Sequence, residues 1–275
     1  PACQKKHWEE GGHANLCKKI KKGGGAEQYH ANTKYAEAVG VAMMACAEDT
    51  RGQTCYICTE AVHRHTGEGL VRGCACHTTE GFVHISCLVE QAKILWEEAM
   101  ENNLGEPVRR ERWDRWYTCR LCEQRYHGVV ACALGWACWK THVGRPEADF
   151  ARINAINLLG NGLSSASHHE DALSVKEAQL SMMRRLGDAE GILIAQTNLS
   201  NTYSRVGRLE QALQMDRDIY CGRVKLDGEE DESTLRAANN YAWGLCKVRH
   251  CEEAKALMRK MMPLAQSVLG ESRDL

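Results

Sequence analysis

Four pairs of metal-ligand residues, in order along one stretch, constrain this chain more than anything else in it. They are Cys55-x-x-Cys58, Cys74-x-Cys76, His84-x-x-Cys87 and Cys119-x-x-Cys122. Seven residues separate Cys76 from His84. A Cys-x-x-Cys turn points two thiolates at one ion, and zinc, with no d-electron preference, accepts four soft donors as a tetrahedron. Eight such donors suffice for two closed sites. Buried structural cysteines have no reason to fall into four ordered pairs. Fifteen cysteines in 275 residues, twelve of them before residue 145, also argue for reduced metal ligands over a disulfide framework. The expected cofactor is therefore zinc, as two structural ions. A site with four protein ligands has no open position for water, so its contribution is folding energy and not Lewis-acid catalysis.

Other features limit the function classes. The formal net charge is −1, which provides no global basic field for nucleic acid. The longest apolar run, "GVVACALGWACW" (Gly128 to Trp139), falls short of the ~20 residues of a membrane span and reads as a buried helix. An intracellular, cytoplasmic location is expected from the cysteine usage. The chain opens at Pro1 without a Met, and truncation is the simplest expectation for its N-terminus. No Ser-His-Asp set, phosphate loop or nucleotide fingerprint occurs. "KKGGGAE" (Lys21 to Glu27) reads as a flexible break, and Asn32 to Asp49 as a helix capped by Asn32 or Thr33. "THVGRPEAD" (Thr141 to Asp149) reads as a hinge. Cys46, Cys132, Cys138, Cys221, Cys246 and Cys251 read as small core residues, and His168 and His169 as solvated loop residues.

The ligand series resembles the RING-CH finger over about 54–125, with one residue between the third and fourth ligands and seven before the histidine. The resemblance implies a cross-braced fold. In it Cys55, Cys58, His84 and Cys87 hold one zinc, and Cys74, Cys76, Cys119 and Cys122 the other. It also implies a ubiquitin-conjugating enzyme as partner, docked by Ile57, Leu88 and Trp116, and hence a RING-type ubiquitin ligase with no covalent catalytic residue. Two features depart from that family. A helix-like insert, "LVEQAKILWEEAMENN", separates Cys87 from Cys119, and Glu123 stands after the last ligand where the family carries a base; the nearest base is Arg125. A PHD finger shares the ligand order and is the minor alternative, as a histone-tail reader. At the N-terminus, "ACQKKHWEEGGHANLCKK" resembles the end of a MYND zinc finger, with Cys3, His13 and Cys17 as its matching ligands and His7 as a substitute fourth.

After residue 150 the pattern is helical. Asn198–Tyr220 and Asn240–Met262 superimpose at a shift of 42, pairing Asn198 with Asn240, Tyr203 with Leu245, Ala212 with Ala254 and Gly228 with Gly270. Each repeat is then an antiparallel helix pair that buries its apolar face on a neighbour. The pattern resembles tetratricopeptide repeats of the kinesin light chain type, which implies a superhelix whose groove binds a peptide or protein substrate. Asn198, Asn201, Asn239 and Asn240 are candidate groove residues.

The expected fold is mainly α: a small irregular two-zinc domain followed by a TPR-like helix-pair solenoid. The expected domains are a MYND-like fragment at 1–22, a linker and helix at 23–53, the RING-CH finger at 54–128, a connecting helix and hinge at 129–150, and about three repeats at 151–275. The expected function is a zinc-binding ligase whose groove selects substrate; the alternative is a non-enzymatic scaffold or adaptor.

Overall fold

The structure is a computed structural model that describes residues 13–76 and 81–270. Among the described residues the chain is mainly helical, with eleven helices and no strand longer than an isolated bridge. Contacts divide it into two compact units, Pro1–His168 and His169–Leu275.

The first unit holds α1 (His13–Lys22), α2 (Ala26–Cys46), α3 (Ile85–Glu101), α4 (Glu106–Asp114), α5 (Gly128–His142) and α6 (Phe150–Ser165). Glycines at 23–25 separate α1 from α2, with Gly24 and Gly25 at φ 88° and 103°. The N-cap of α2 is Gly25, not Asn32 or Thr33. Those two lie inside the helix, where the Thr33 hydroxyl donates to the Tyr29 carbonyl at 3.0 Å. The apolar run of α5 is explained by its neighbours: it packs against both α2 and α6, so nearly every face is buried. A Cβ on Gly162 of α6 would sit 2.6 Å from the Ala131 carbonyl oxygen, so that backbone approach requires glycine. Asp149 caps α6 by accepting from the N–H groups of Ala151 and Arg152 at 2.8 and 3.3 Å.

Aromatic rings fill the space between α3, α4, α5 and α6. Trp96 meets Trp113 edge-on at 5.1 Å between ring centroids and stacks on Phe150 at 5.5 Å. Trp116 abuts His142 at 5.6 Å. Burial, and then the charge of Arg145, lower the His142 pKa to about 4, so this imidazole is neutral within the aromatic cluster.

The second unit is a run of antiparallel helices: α7 (His169–Leu186), α8 (Ala189–Arg205), α9 (Leu209–Asp227), α10 (Glu232–Lys247) and α11 (Cys251–Leu269), each packed on the next. His169 opens α7 instead of lying in a loop. Positions one repeat apart share environments. Tyr203 and Leu245 are both buried, as are Ala212 and Ala254. Gly228 and Gly270 both cap their helices at positive φ, 90° and 76°. Cys221, Cys246 and Cys251 are exposed, whereas Cys46, Cys132 and Cys138 are buried; helical spacing alone does not say which face points inward.

The turns between helices repeat as well. Gly207 follows α8 at φ 80°, and Arg249 holds the matching place after α10 at φ 67°. In both turns the next N–H reaches back to close the helix end: Arg208 to Tyr203 at 2.9 Å, and His250 to Leu245 at 2.8 Å. A left-handed conformation costs an L-residue roughly 1–2 kcal/mol, part of which glycine loses again through its freer unfolded chain. Arg249→Gly is therefore expected to stabilise the second unit by about 0.5–1 kcal/mol, and Gly207→Ala to destabilise it by about 1 kcal/mol. Urea unfolding followed by helical circular dichroism checks both signs.

Candidate metal centres and repeat groove

The eight ligand residues converge as two clusters. In each of Cys55, Cys58, His84, Cys87 and Cys74, Cys76, Cys119, Cys122, the ligand atoms lie within 4.8 Å of one another. The sets interleave along the chain, each taking alternate pairs. These cysteines form no disulfide.

Backbone geometry explains how each site begins. After Cys55, the Ile57 N–H points at the Cys55 sulfur at 3.4 Å, and the Thr59 N–H donates to the Cys55 carbonyl at 2.8 Å. The Cys55 N–H in turn donates to the Glu60 carbonyl at 3.0 Å. Around Cys119 the same three bonds recur at the same offsets. Leu121 N–H faces the Cys119 sulfur at 3.4 Å, Glu123 N–H reaches the Cys119 carbonyl at 2.9 Å, and Cys119 N–H reaches Gln124 at 2.9 Å. Both loops turn through a left-handed non-glycine residue, Thr59 at φ 65° and Glu123 at φ 55°. Two copies of one tight loop thus supply two ligands to each cluster. N–H groups aimed at sulfur favour the thiolate, the form that binds metal.

The remaining ligands arrive on different supports. Cys74 and Cys76 follow the Val71–Val83 bridge in irregular chain, with a bend at Cys74. A Cβ on Gly81 would lie 2.8 Å from the Cys76 Cβ and 3.2 Å from both sulfurs, at φ 88°, so only glycine lets the chain pass behind this pair. His84 is the N-cap of α3, and Cys87 stands in its first turn. That helix end is held by Glu68, whose carboxylate accepts from the Ser86 N–H at 2.9 Å and from its hydroxyl at 2.7 Å. Nothing in the sequence marks Glu68 as a cap, because it acts from 18 residues upstream.

The donor set fits a tetrahedral zinc. Zinc–sulfur bonds of ~2.3 Å at the tetrahedral angle put two sulfurs ~3.8 Å apart, and a sulfur and a nitrogen ~3.6 Å apart. Cys76 and Cys119 sulfurs are 3.7 Å apart. His84 Nδ1 lies 3.4 Å from the Cys58 sulfur and 3.6 Å from that of Cys87. Nδ1 is thus the ligand nitrogen. Burial, first among its causes, lowers the His84 pKa and keeps the ring in the neutral form a metal requires. Burial, followed by the neighbouring sulfurs, pushes the Cys76 and Cys87 thiols well above their ordinary range. A dication reverses that balance, and its binding releases the protons.

The residues expected to dock a conjugating enzyme are placed differently. Ile57 is half-buried in the first loop. Leu88 is only 3% exposed and Trp116 is wholly buried, so neither presents a docking surface. Leu88 faces inward on α3, and Trp116 packs against Trp113 and His142. Glu123 forms an ion pair with Arg115 at 3.1 Å, while Arg125 lies over the Tyr117 ring at 5.3 Å. Of the MYND-like ligands, Cys17 lies on α1, the His13 side chain is not described, and Cys3 and His7 lie outside the described residues.

In the second unit, Asn198 and Asn240 line one cavity of about 190 Å3. Its wall includes Ile194, Ile219 and Asp216. Asn240 also borders a smaller hollow of about 50 Å3 with Asn201, Trp243 and Lys247. Asn239 is exposed. The wall is held by polar bonds. Arg223, nearly buried, reaches Glu190 at 2.6 Å and Asp227 at 2.9 Å, and the Ser200 hydroxyl donates to Asp216.

Two zinc ions per chain are the expected stoichiometry. Cys76→Ser is expected to lose one ion and unfold the segment around it, while the second unit keeps its helical signal. Metal analysis of the purified protein, with circular dichroism before and after chelation, measures both.

The family-model match falls in the second unit, and the structural matches cover more of the chain than that unit. Residues 192–230 match the tetratricopeptide repeat family model. No curated protein matches the chain. Among solved structures, the chain is similar to BtubC (BKLC) from P. vanneervenii, at 15% identity and a TM-score of 0.50, covering 69% of this chain and 77% of that one. It is also similar to a kinesin-light-chain-type protein of Podosopora anserina with nearly identical TPR-like repeats, at 14% identity and a TM-score of 0.47, covering 69% of this chain and 90% of that one. At such identities the likeness to BtubC is one of fold: a chain of stacked helix pairs.

Proposed function

We propose that this protein is an interaction scaffold, in which the helical repeats hold an extended peptide segment of a partner and a zinc-braced module forms part of the other unit. The observation that carries this reading is the opening of Asn198 and Asn240, equivalent residues one repeat apart, onto a single cavity. Amide side chains both donate and accept, so they suit a peptide backbone at regular intervals. Each such bond adds ~1 kcal/mol. The zinc ions are structural: four ligands close each site, and their free energy replaces the core that so irregular a segment lacks.

The groove is tested on the full chain by affinity capture of crosslinked partners. The double variant Asn198→Ala, Asn240→Ala is expected to lose most of the captured partners, and Cys76→Ser to keep them. Unchanged capture by the double variant sinks the groove assignment.

A second reading, a RING-type ubiquitin ligase, is favoured by the interleaving of the two ligand sets, the arrangement that the RING-CH resemblance implies. The burial of Leu88 and Trp116 weighs against it and leaves Ile57 as the docking candidate. Autoubiquitination with a panel of conjugating enzymes separates the two. Activity that Ile57→Ala abolishes with zinc retained supports the ligase; silence across the panel leaves the scaffold.

A further inference from the structure

The first unit contains a cavity of about 500 Å3, walled by α4, the chain that follows it, α5 and α6. None of the eight metal ligands lines it. Three features give it a chemical character.

One wall is amide. Asn154, Asn157 and Asn161 line the cavity from α6 at spacings of three and four residues, on one face of the helix. They span about 10 Å along the axis, the length of about three extended residues. Within the protein, the Asn154 Nδ2 donates to the Phe150 carbonyl at 2.8 Å and the Asn161 Nδ2 to Asn157 Oδ1 at 3.4 Å. Both pairings leave the Oδ1 acceptors of Asn154 and Asn161 open.

The floor and rim are aromatic. Trp116 lines the cavity, is wholly buried, and its indole Nε1 has no hydrogen-bond partner among the described residues. Buried indole N–H groups ordinarily have one. Phe150 lines the cavity too and is 53% exposed, although its ring stacks on Trp96.

The mouth is basic. Arg125 is exposed, lies over Tyr117, and forms no ion pair among the described residues. The one carboxylate of the lining, Asp114, already accepts from the Tyr117 hydroxyl.

We propose that this cavity binds an extended peptide segment of a partner protein, in which a bulky apolar side chain is flanked by carboxylates. The apolar side chain packs on the exposed ring of Phe150, above the covered Trp116, the peptide backbone bonds to Asn154 and Asn161, and a carboxylate meets Arg125. All of its lining residues belong to the first unit, and binding here does not depend on whether the second unit's groove binds a peptide.

The test is isothermal titration of the full chain with acetyl-Asp-Phe-Glu-Asp-amide. Saturable binding is expected. It should weaken at least tenfold when alanine replaces the probe's phenylalanine, and at least tenfold for acetyl-Lys-Phe-Lys-Lys-amide. On the protein side, Arg125→Glu and the pair Asn154→Ala, Asn161→Ala should each weaken it at least tenfold, whereas Arg125→Lys stays within about threefold. The pair Asn198→Ala, Asn240→Ala should leave it unchanged. Far-ultraviolet circular dichroism identifies any variant that fails to fold, and the probe-side comparisons on the natural sequence decide independently of it. Absence of saturation at millimolar probe, equal binding of the lysine probe, or loss only in the Asn198, Asn240 variant overturns the proposal.

Discussion

Four sulfur or imidazole donors held within 4.8 Å of one another are an unfavourable arrangement for a protein without metal, and the first unit contains it twice. Ionised, the thiolates repel; protonated, they occupy buried space with weak hydrogen bonds. A dication turns both clusters into the strongest attraction in the region. The chain between α2 and α3 adds a small buried core of Leu70, Val71, Phe82 and Val83 and a few bonds to its neighbours, such as Arg72 N–H to the Cys46 sulfur at 3.4 Å. Among its described residues there is no helix, and pairing with other extended chain comes down to the Val71–Val83 bridge. Glu68 and Gly81 serve this constraint from outside the donor sets. Glu68 fixes the helix end that carries Cys87, and Gly81 clears the space behind Cys74 and Cys76.

The helices follow a different rule. In the second unit, small side chains such as Ala238, Ala242, Ala254 and Ala265 set close spacing between successive helices, and larger ones such as Leu235, Leu245 and Met261 fill the gaps. In the first unit, α5 is buried on several sides at once, so its contribution is apolar area and not amphipathic patterning. The aromatic cluster joins the two kinds of order: Trp113 and Trp116 precede the last ligand pair in sequence, yet they pack on residues of α5 and on the ring that opens α6.

Much of this is legible in the order of the residues. Ligand pairs can be read from sequence because metal chemistry restricts both residue type and spacing, and folding gathers those eight residues into two groups. The 42-residue shift is equally direct, since stacked repeats reuse the same buried positions. Faces are harder. An aromatic residue just before a ligand pair looks the same in sequence whether it is exposed for a partner, as expected of Trp116, or covered by neighbouring helices, as Trp116 is. Cys251 falls at an apolar repeat position beside Leu209 but opens a helix at the surface. Long-range support is invisible: neither Glu68 nor the cavity beside α6 has a local signature, because both arise from chain segments brought together only by folding. The helix start at Ala26 leaves little trace, because a glycine N-cap carries less information than Asn or Thr.

The interleaving of the two donor sets also poses a question of fidelity. In the unfolded chain, Cys55 and Cys58 have nearer company in Cys74 and Cys76, which begin 16 residues on from Cys58, than in His84 and Cys87, which begin 26 residues on. Closing the shorter loop is entropically easier by only about 0.5 kcal/mol. An ion caught by the first four cysteines therefore makes an all-thiolate trap, and chain entropy slightly favours it. Escape depends on the native supports: the Val71–Val83 bridge that separates the neighbouring pairs, and the α3 turn that offers a histidine and a cysteine together. For any metal that enters these clusters, choosing the right four donors is thus an editing problem as much as a binding one, and the chain's proofreading lies in its backbone.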